Sequence, residues 1–215
     1  MKKYSRYQDY VIRDGEFVGD FESMYQDHED PWHQSAPVYT PEKLHLLATI
    51  KRLSIKQEVR IIDIGCGLGA FTVEMFSLGL PTLGIDLSPT AISKASNINP
   101  GPNYAVGDLK SYELFESFRP TLFVMVETAW YVLDQLRSFR DYLLSAHPNA
   151  HLLLSLNFLP TSVQEYGRDY FTTPAEMRDY FELHYVEFGD IRLEAGNTKT
   201  FFLADVGKQA KSKIE

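Results

Sequence analysis

Val59-Arg60-Ile61-Ile62-Asp63-Ile64-Gly65-Cys66-Gly67-Leu68-Gly69-Ala70 is the stretch that decides the fold. Its apolar run stops at a glycine-rich turn, which predicts a strand buried on both faces of a sheet. Glycines at 65, 67 and 69 let the backbone turn tightly and leave no Cβ between it and a ligand. The helix expected next would aim its free N–H groups and positive dipole end at that gap, which suits a carboxylate or phosphate. The pattern points to a nucleotide-like cofactor.

Working outward, the glycine spacing alone leaves the cofactor open, because Gly65, Gly67 and Ala70 also fit a dinucleotide fingerprint. Asp63 argues otherwise, since a pyrophosphate would meet its negative charge two residues before the first glycine. Leu83-Gly84-Ile85-Asp86-Leu87-Ser88 is a second strand, ending in a carboxylate suited to ribose hydroxyls. Tyr104-Ala105-Val106-Gly107-Asp108-Leu109 is a third, ending where a carboxylate could take an adenine amino proton.

In that order these motifs resemble the class I S-adenosylmethionine-dependent methyltransferases. The resemblance extends over roughly residues 40–207 in layout and 60–110 in motif. It implies S-adenosylmethionine as cofactor and S-adenosylhomocysteine as product. Gly65, Gly67 and Gly69 would approach the cofactor, and Asp63 would orient the loop or meet the amino-acid ammonium group. Asp86 would bind ribose, Asp108 the adenine, and Leu87 and Leu109 the adenine faces. Each carboxylate has a plainer reading as a cap or turn residue.

Composition narrows the class. The chain has 215 residues, 44% hydrophobic, with a net charge of −8. That suits one α/β domain with an extension. No apolar run approaches the ~18 residues of a membrane span, and no basic stripe is present to neutralise nucleic-acid phosphates. The basic start Met1-Lys2-Lys3 has no apolar run behind it, so no signal peptide is read. With Cys66 as the sole cysteine, no internal disulfide can form and a cytoplasmic location is expected. Cys66 itself reads as a small turn filler, and no metal-ligand set stands out.

Three segments are expected: an aromatic, acidic N-terminal extension or lid over 1–34, the methyltransferase domain over 35–207, and a tail over 208–215. In the extension, Asp14-Gly15 between apolar runs predicts a hairpin over 10–18. That hairpin could add to the sheet edge of a second copy, giving a homodimer. Thr40 and Pro41 mark the start of a helix reaching Leu53. Strands are predicted near 59–63, 81–86, 102–106, 121–126 and 150–157, and helices near 69–78, 89–97, 111–117, 130–146 and 173–182. Two closing segments flank Ala195-Gly196-Asn197 as an antiparallel hairpin. The fold expected is a three-layer Rossmann-like sheet of seven mostly parallel strands.

Catalytic and acceptor residues are less legible, because methyl transfer needs mainly positioning and water exclusion. Glu127, after the fourth strand, could act as base, hold an acceptor amine or cap the next helix; Trp130 and Tyr131 follow it as acceptor-side candidates. Asp30-Pro31-Trp32-His33 resembles a segment before the first helix of NodS-like methyltransferases and of relatives linked with sugar and polysaccharide pathways. Trp32 would then cover the cofactor, with a cation–π contribution near the sulfonium, and His33 would be a candidate general base. Arg168 and Tyr170, in the long 160–173 loop, could grip an anionic or sugar-like acceptor.

The function expected is methyl transfer to oxygen or nitrogen of a small polar molecule, with sugar-related molecules among the candidates, and without nucleic-acid or membrane partners. The alternatives are a non-catalytic S-adenosylmethionine-binding module and a nicotinamide-dependent oxidoreductase. Parallel calorimetric titrations separate the last from the others: S-adenosylmethionine and S-adenosylhomocysteine should bind in the micromolar range, and Asp86→Ala should abolish both. Preference for NAD would overturn the cofactor assignment.

Overall fold

A computed structural model describes residues 3–34 and 39–208. The extension opens with a 3-10 turn (Tyr7–Tyr10), a short hairpin of β1 (Ile12–Arg13) and β2 (Glu16–Phe17), and helix α1 (Phe21–Asp27). The turn forms where Asp14-Gly15 predicts it, both residues taking positive φ (53° and 78°) as a type I′ turn requires. Helix α1 is the element the sequence reading did not anticipate.

The core then alternates: α2 (Pro41–Lys56), β3 (Ile61–Ile64), α3 (Ala70–Phe76), β4 (Thr82–Asp86), α4 (Pro89–Ile98), β5 (Asn103–Val106), α5 (Tyr112–Phe118) and β6 (Leu122–Val126). After it come α6 (Leu136–Ala146), β7 (His151–Phe158), α7 (Pro174–Phe181), β8 (His184–Arg192) and β9 (Thr198–Asp205). The seven-stranded sheet has the order β5-β4-β3-β6-β7-β9-β8, and β9 runs antiparallel to both its neighbours. Central β3 pairs with β4 on one side and β6 on the other, so the strand order reverses there and opens a crevice at the carboxyl ends.

Strand alternation explains the layers. Ile62 and Ile64 join Phe115, Phe123 and Phe139 on one face, while Ile61 joins Leu46, Ile50, Phe71 and Met75 on the other. Asp63 shares the second face by the same period, which brings it against α3, where Thr72 Oγ1 donates to its Oδ2 at 2.6 Å.

Two expectations need correction. The helix predicted over 130–146 starts only at Leu136, after 3-10 turns at Ala129–Tyr131 and Leu133–Gln135. Those turns let neighbouring Trp130 and Tyr131 reach different surroundings, Phe158 and Phe171 for the first and Phe21 and Trp32 for the second. Helix α2 does start at Pro41, but Thr40 makes no side-chain cap; its carbonyl accepts from Leu44 N at 3.0 Å.

The extension is bolted to α4 from both ends of α1. Glu22 accepts hydrogen bonds from Ser88 Oγ (2.6 Å), Thr90 N (3.2 Å) and Thr90 Oγ1 (2.6 Å), supplying an acceptor and a negative charge at the start of α4. In return, Lys94 Nζ donates to the carbonyls of Tyr25 (2.8 Å) and His28 (3.0 Å) at the end of α1. Beneath these bonds Tyr10, Val11, Met24 and Tyr25 bury against Leu68 and Ala91 of the core. Glu22→Ala should therefore lower stability by ~1–2 kcal/mol in urea unfolding and speed proteolysis near α1; an unchanged midpoint would show that the latch contributes nothing.

Candidate functional site

A cavity of about 640 Å³ lies between the carboxyl ends of the central strands and the inner face of the extension. The fold brings Trp32, His33, Asp63, Gly65, Asp86, Leu87, Asp108, Leu109, Glu127 and Tyr131 to its wall. Of the remaining residues singled out from sequence, Gly67, Gly69, Trp130, Arg168 and Tyr170 lie outside the lining.

The glycine loop is shaped as much by its neighbours as by the cavity. A side chain at Gly65 would collide with Thr128, and one at Gly69 with the Tyr104 ring. At Gly67 it would strike the Gln34 amide and the Tyr25 hydroxyl, both from the extension. Each of the three holds a positive φ, so glycine is required twice over, by conformation and by space. Gly67 and Gly69 thus serve packing here, while Gly65 borders the cavity.

The loop's N–H groups are already engaged. Gly67 N donates to Asp86 Oδ2 at 3.0 Å, and Leu68 N to Gln34 Oε1 at 2.9 Å. Asp86 Oδ1 also accepts from Ser88 N at 2.9 Å. Burial raises the Asp86 pKa, and the hydrogen bonds from Ser88 and Gly67 only partly offset it. Asp108 adopts the local turn anticipated as its plainer reading, accepting from Lys110 N at 2.8 Å and Ser111 Oγ at 3.2 Å, yet it still lines the cavity. Leu109 is buried beside it and Leu87 is exposed.

Sequence reasoning missed Gln34 and Tyr25 as wall residues. Gln34 follows the Asp30–His33 segment, but a lone glutamine carries no periodic or motif signal. Tyr25 lies on α1, whose helix was not foreseen. Burial, then the nearby Asp86 carboxylate, pushes the Tyr25 hydroxyl well above its ordinary pKa, so it stays protonated and able to donate.

On the far side, Glu127 has a left-handed backbone (φ 61°), uncommon for a non-glycine residue and typical of constrained functional positions. Its carboxylate does not cap a helix. Oε2 accepts from Asn157 N at 2.9 Å, and Oε1 accepts from Lys199 Nζ. Lys199, on β9, also lies 3.5 Å from Oε1 of the buried Glu42. His33 is exposed and has a positive φ of 55°. Trp32 packs edge-on against Tyr7 (5.0 Å) and tilts against Tyr131 (5.8 Å). Burial, then the Glu127 charge, raises the Tyr131 pKa.

The three outlying acceptor candidates are spoken for elsewhere. Trp130 Nε1 donates to the Asn157 carbonyl at 2.9 Å while its ring packs on Phe158 and Phe171, so it braces the wall from behind. Arg168 Nη1 donates to the Gln164 carbonyl at 3.4 Å, and Tyr170 packs edge-on against Tyr180 at 6.0 Å. The loop they belong to meets the extension instead through Tyr166, stacked on Phe17 at 5.9 Å.

The residues present fit a nucleoside-bearing, amino-acid-containing cofactor: carboxylates end adjacent strands, the glycine turn leaves backbone accessible at Gly65, and the aromatic wall can cover an apolar face. Asp63 adds a pH dependence. Burial raises its pKa to about 6 from 3.8, against the Thr72 hydrogen bond. Because the folded-state pKa exceeds the unfolded one, the fold holds an extra proton between those values. Stability from this group is therefore greatest at the acid end of the window and falls as pH rises through 6. Asp63→Asn keeps an acceptor for Thr72, so it should remove that slope and stabilise the protein near pH 7.5 by on the order of 2–3 kcal/mol, read by thermal melts across pH. A slope retained in the variant would assign it to another group.

Comparisons with known proteins agree with this geometry. A family model described as a methyltransferase domain matches residues 33–186. A mitochondrial ubiquinone biosynthesis O-methyltransferase of Schizosaccharomyces pombe is 35% identical over 107 residues, covering 45% of this chain and 37% of that protein. The chain thus spans well under half the length of this relative. Among solved structures, an S-adenosylmethionine-dependent methyltransferase from Anabaena variabilis shares the fold at a TM-score of 0.64 and 15% identity, over 91% of this chain and 98% of that one. The magnesium protoporphyrin IX methyltransferase of Synechocystis PCC 6803, solved with its cofactor bound, aligns at a TM-score of 0.54 and 15% identity over 92% and 89%. With the family model spanning most of the chain and the cavity at the switch point of its sheet, the protein belongs to the methyltransferase-domain family and carries a class I S-adenosylmethionine-dependent methyltransferase domain.

Proposed function

We propose that this protein methylates an oxygen of a small, polar, sugar-related acceptor held between the extension and the carboxyl edge of the sheet. The observation that carries the reading is one cavity whose wall gathers two sets of groups: Asp86, Asp108 and Gly65 with their backbone turns, and the Glu127–Lys199 ion pair with His33 and aromatic side chains. Oxygen is favoured over nitrogen by the name of the fission-yeast relative, an O-methyltransferase. Hydroxyl-rich acceptors suit a wall that combines aromatic side chains from Phe17, Phe21 and Tyr131 with charged hydrogen-bonding groups. A cytoplasmic site of action belongs to the same proposal, supported by the lone, buried Cys66.

In this reading Asp86 takes the ribose hydroxyls and Asp108 the adenine amino group, with Leu87 and Leu109 against the adenine faces. Asp63 holds the loop through Thr72. S-adenosylmethionine supplies an electrophilic methyl group, whose bond to sulfur breaks as the bond to acceptor oxygen forms, the electron pair remaining on sulfur. The chain's own work is to position and to exclude water, with the extension as lid and Trp32 and Tyr131 as its apolar inner surface. His33 receives the hydroxyl proton. Glu127 is less suited to that task, because Lys199 and Asn157 N already use its oxygens.

Incubation with methyl-labelled S-adenosylmethionine and a panel of hydroxylated metabolites should give labelled ether and S-adenosylhomocysteine. His33→Ala should lower kcat on the order of 100-fold while leaving S-adenosylhomocysteine affinity unchanged. Binding without turnover across a broad panel would favour the non-catalytic module, and full activity in His33→Ala would remove the histidine from the mechanism.

A further inference from the structure

The sharpest concentration of charge in the cavity belongs to residues that no motif picks out together. Glu127 follows β6, Lys199 lies on β9 and Glu42 opens α2, yet all three line the same wall. Their convergence has a cause in strand register. Lys199 is the antiparallel partner of Asn157, and Asn157 N donates to Glu127 Oε2, so the ends of β6, β7 and β9 are locked side by side. The left-handed backbone at Glu127 turns the chain out of β6 at this point. Glu42 is 4% exposed at its side chain, whereas Lys199 is 21% and Glu127 37% exposed, so the last two remain open to a ligand.

An ammonium carries three N–H donors. Glu127 takes one in a close ion pair and Glu42 stands 3.5 Å away for a second, which leaves a donor over. The Glu127 oxygens accept from Lys199 and Asn157 N, using half of the four lone-pair positions of a carboxylate. A spare donor and a spare acceptor therefore stand in direct contact at the cavity wall. We propose that Lys199 and Glu127 form an acceptor-recognition pair for two neighbouring oxygens, a vicinal diol, with one hydroxyl donating to Glu127 and the other oxygen accepting from Lys199. This rests on the methyl-transfer reading above.

Charge selects among the alternatives. A carboxylate acceptor would meet two glutamates against one lysine, and an ammonium acceptor would meet Lys199 directly. Lys43, the other lysine on the cavity wall, favours the charged forms of Asp63 and Glu74. A single hydroxyl brings one oxygen to the pair, so the spare donor of Lys199 and the spare acceptor of Glu127 compete for it, whereas a diol gives each its own oxygen. Lys199 is thus a specificity residue, distinct from the proton acceptor.

The test uses the full chain saturated with S-adenosylhomocysteine and reads binding by ligand-observed NMR titration. The probes are cis-1,2-cyclohexanediol and catechol, each against its monohydroxy counterpart, cyclohexanol and phenol. The diols should bind at least about tenfold more tightly. Lys199→Met should abolish that preference and Lys199→Arg should retain most of it, with S-adenosylhomocysteine affinity held within about twofold throughout. Equal binding of diols and mono-ols by the unmodified protein would overturn the proposal, even if the methionine variant fails to fold. So would a preference that survives Lys199→Met. Failure of the unmodified protein to bind S-adenosylhomocysteine would instead overturn the methyl-transfer reading, and this proposal with it.

Discussion

The Asp86 carboxylate ties together the parts of the molecule that make the cavity. One oxygen accepts from Gly67 N and so fixes the glycine turn; the other accepts from Ser88 N and fixes the start of α4. Ser88 in turn donates to Glu22, which brings in α1 and the extension. A single buried carboxylate thereby connects β4, the β3–α3 turn and, through one serine, the N-terminal wall. Burial raises its pKa, and the surrounding N–H donors are what keep the charged form accessible at the site. The arrangement joins stability to binding, since a ligand that engages Asp86 must share it with the turn.

The carboxylates of the cavity wall are answered in two different ways. Asp63 and Asp86 are both buried, and the Asp86 charge adds to the cost of ionising Asp63. Their partners are neutral: a hydroxyl for Asp63 and backbone amides for Asp86. Glu127 and Glu42 instead share a lysine, so charge is answered by charge. An environment of neutral donors leaves a carboxylate free to respond to a cationic or hydroxylic ligand. An ion pair holds its members in place and offers only the donors and acceptors left over.

The extension is part of the domain's packing rather than an appendage. Tyr10 and Met24 are fully buried, and Tyr25 nearly so, against Leu68 and Ala91. The hairpin of the extension carries Phe17, which stacks on Tyr166 of its own chain. The same contact explains why the 160–173 loop matters without lining the cavity: it supports the hairpin, while Arg168 and Tyr170 turn to partners outside. Among the described residues, no helix is long and apolar enough to cross a membrane.

Local chemistry made much of this protein legible in its sequence. Apolar runs of four to eight residues, broken by glycine, proline and aspartate, place the strands of the sheet. Asp63, Gly65, Asp86 and Asp108 stand out because strand ends and tight turns demand particular residue types at fixed offsets. Long-range contacts decided the rest. Lys199 lies 72 residues from Glu127 and gives no signal beside it, because antiparallel register alone brings them together. Gln34 and Tyr25 reach the glycine turn only once α1 docks on α4, and Trp130 leaves the wall because 3-10 turns replace the start of a helix. Sequence periodicity reports which face of an element is buried; which element that face meets depends on packing energies summed over the whole chain.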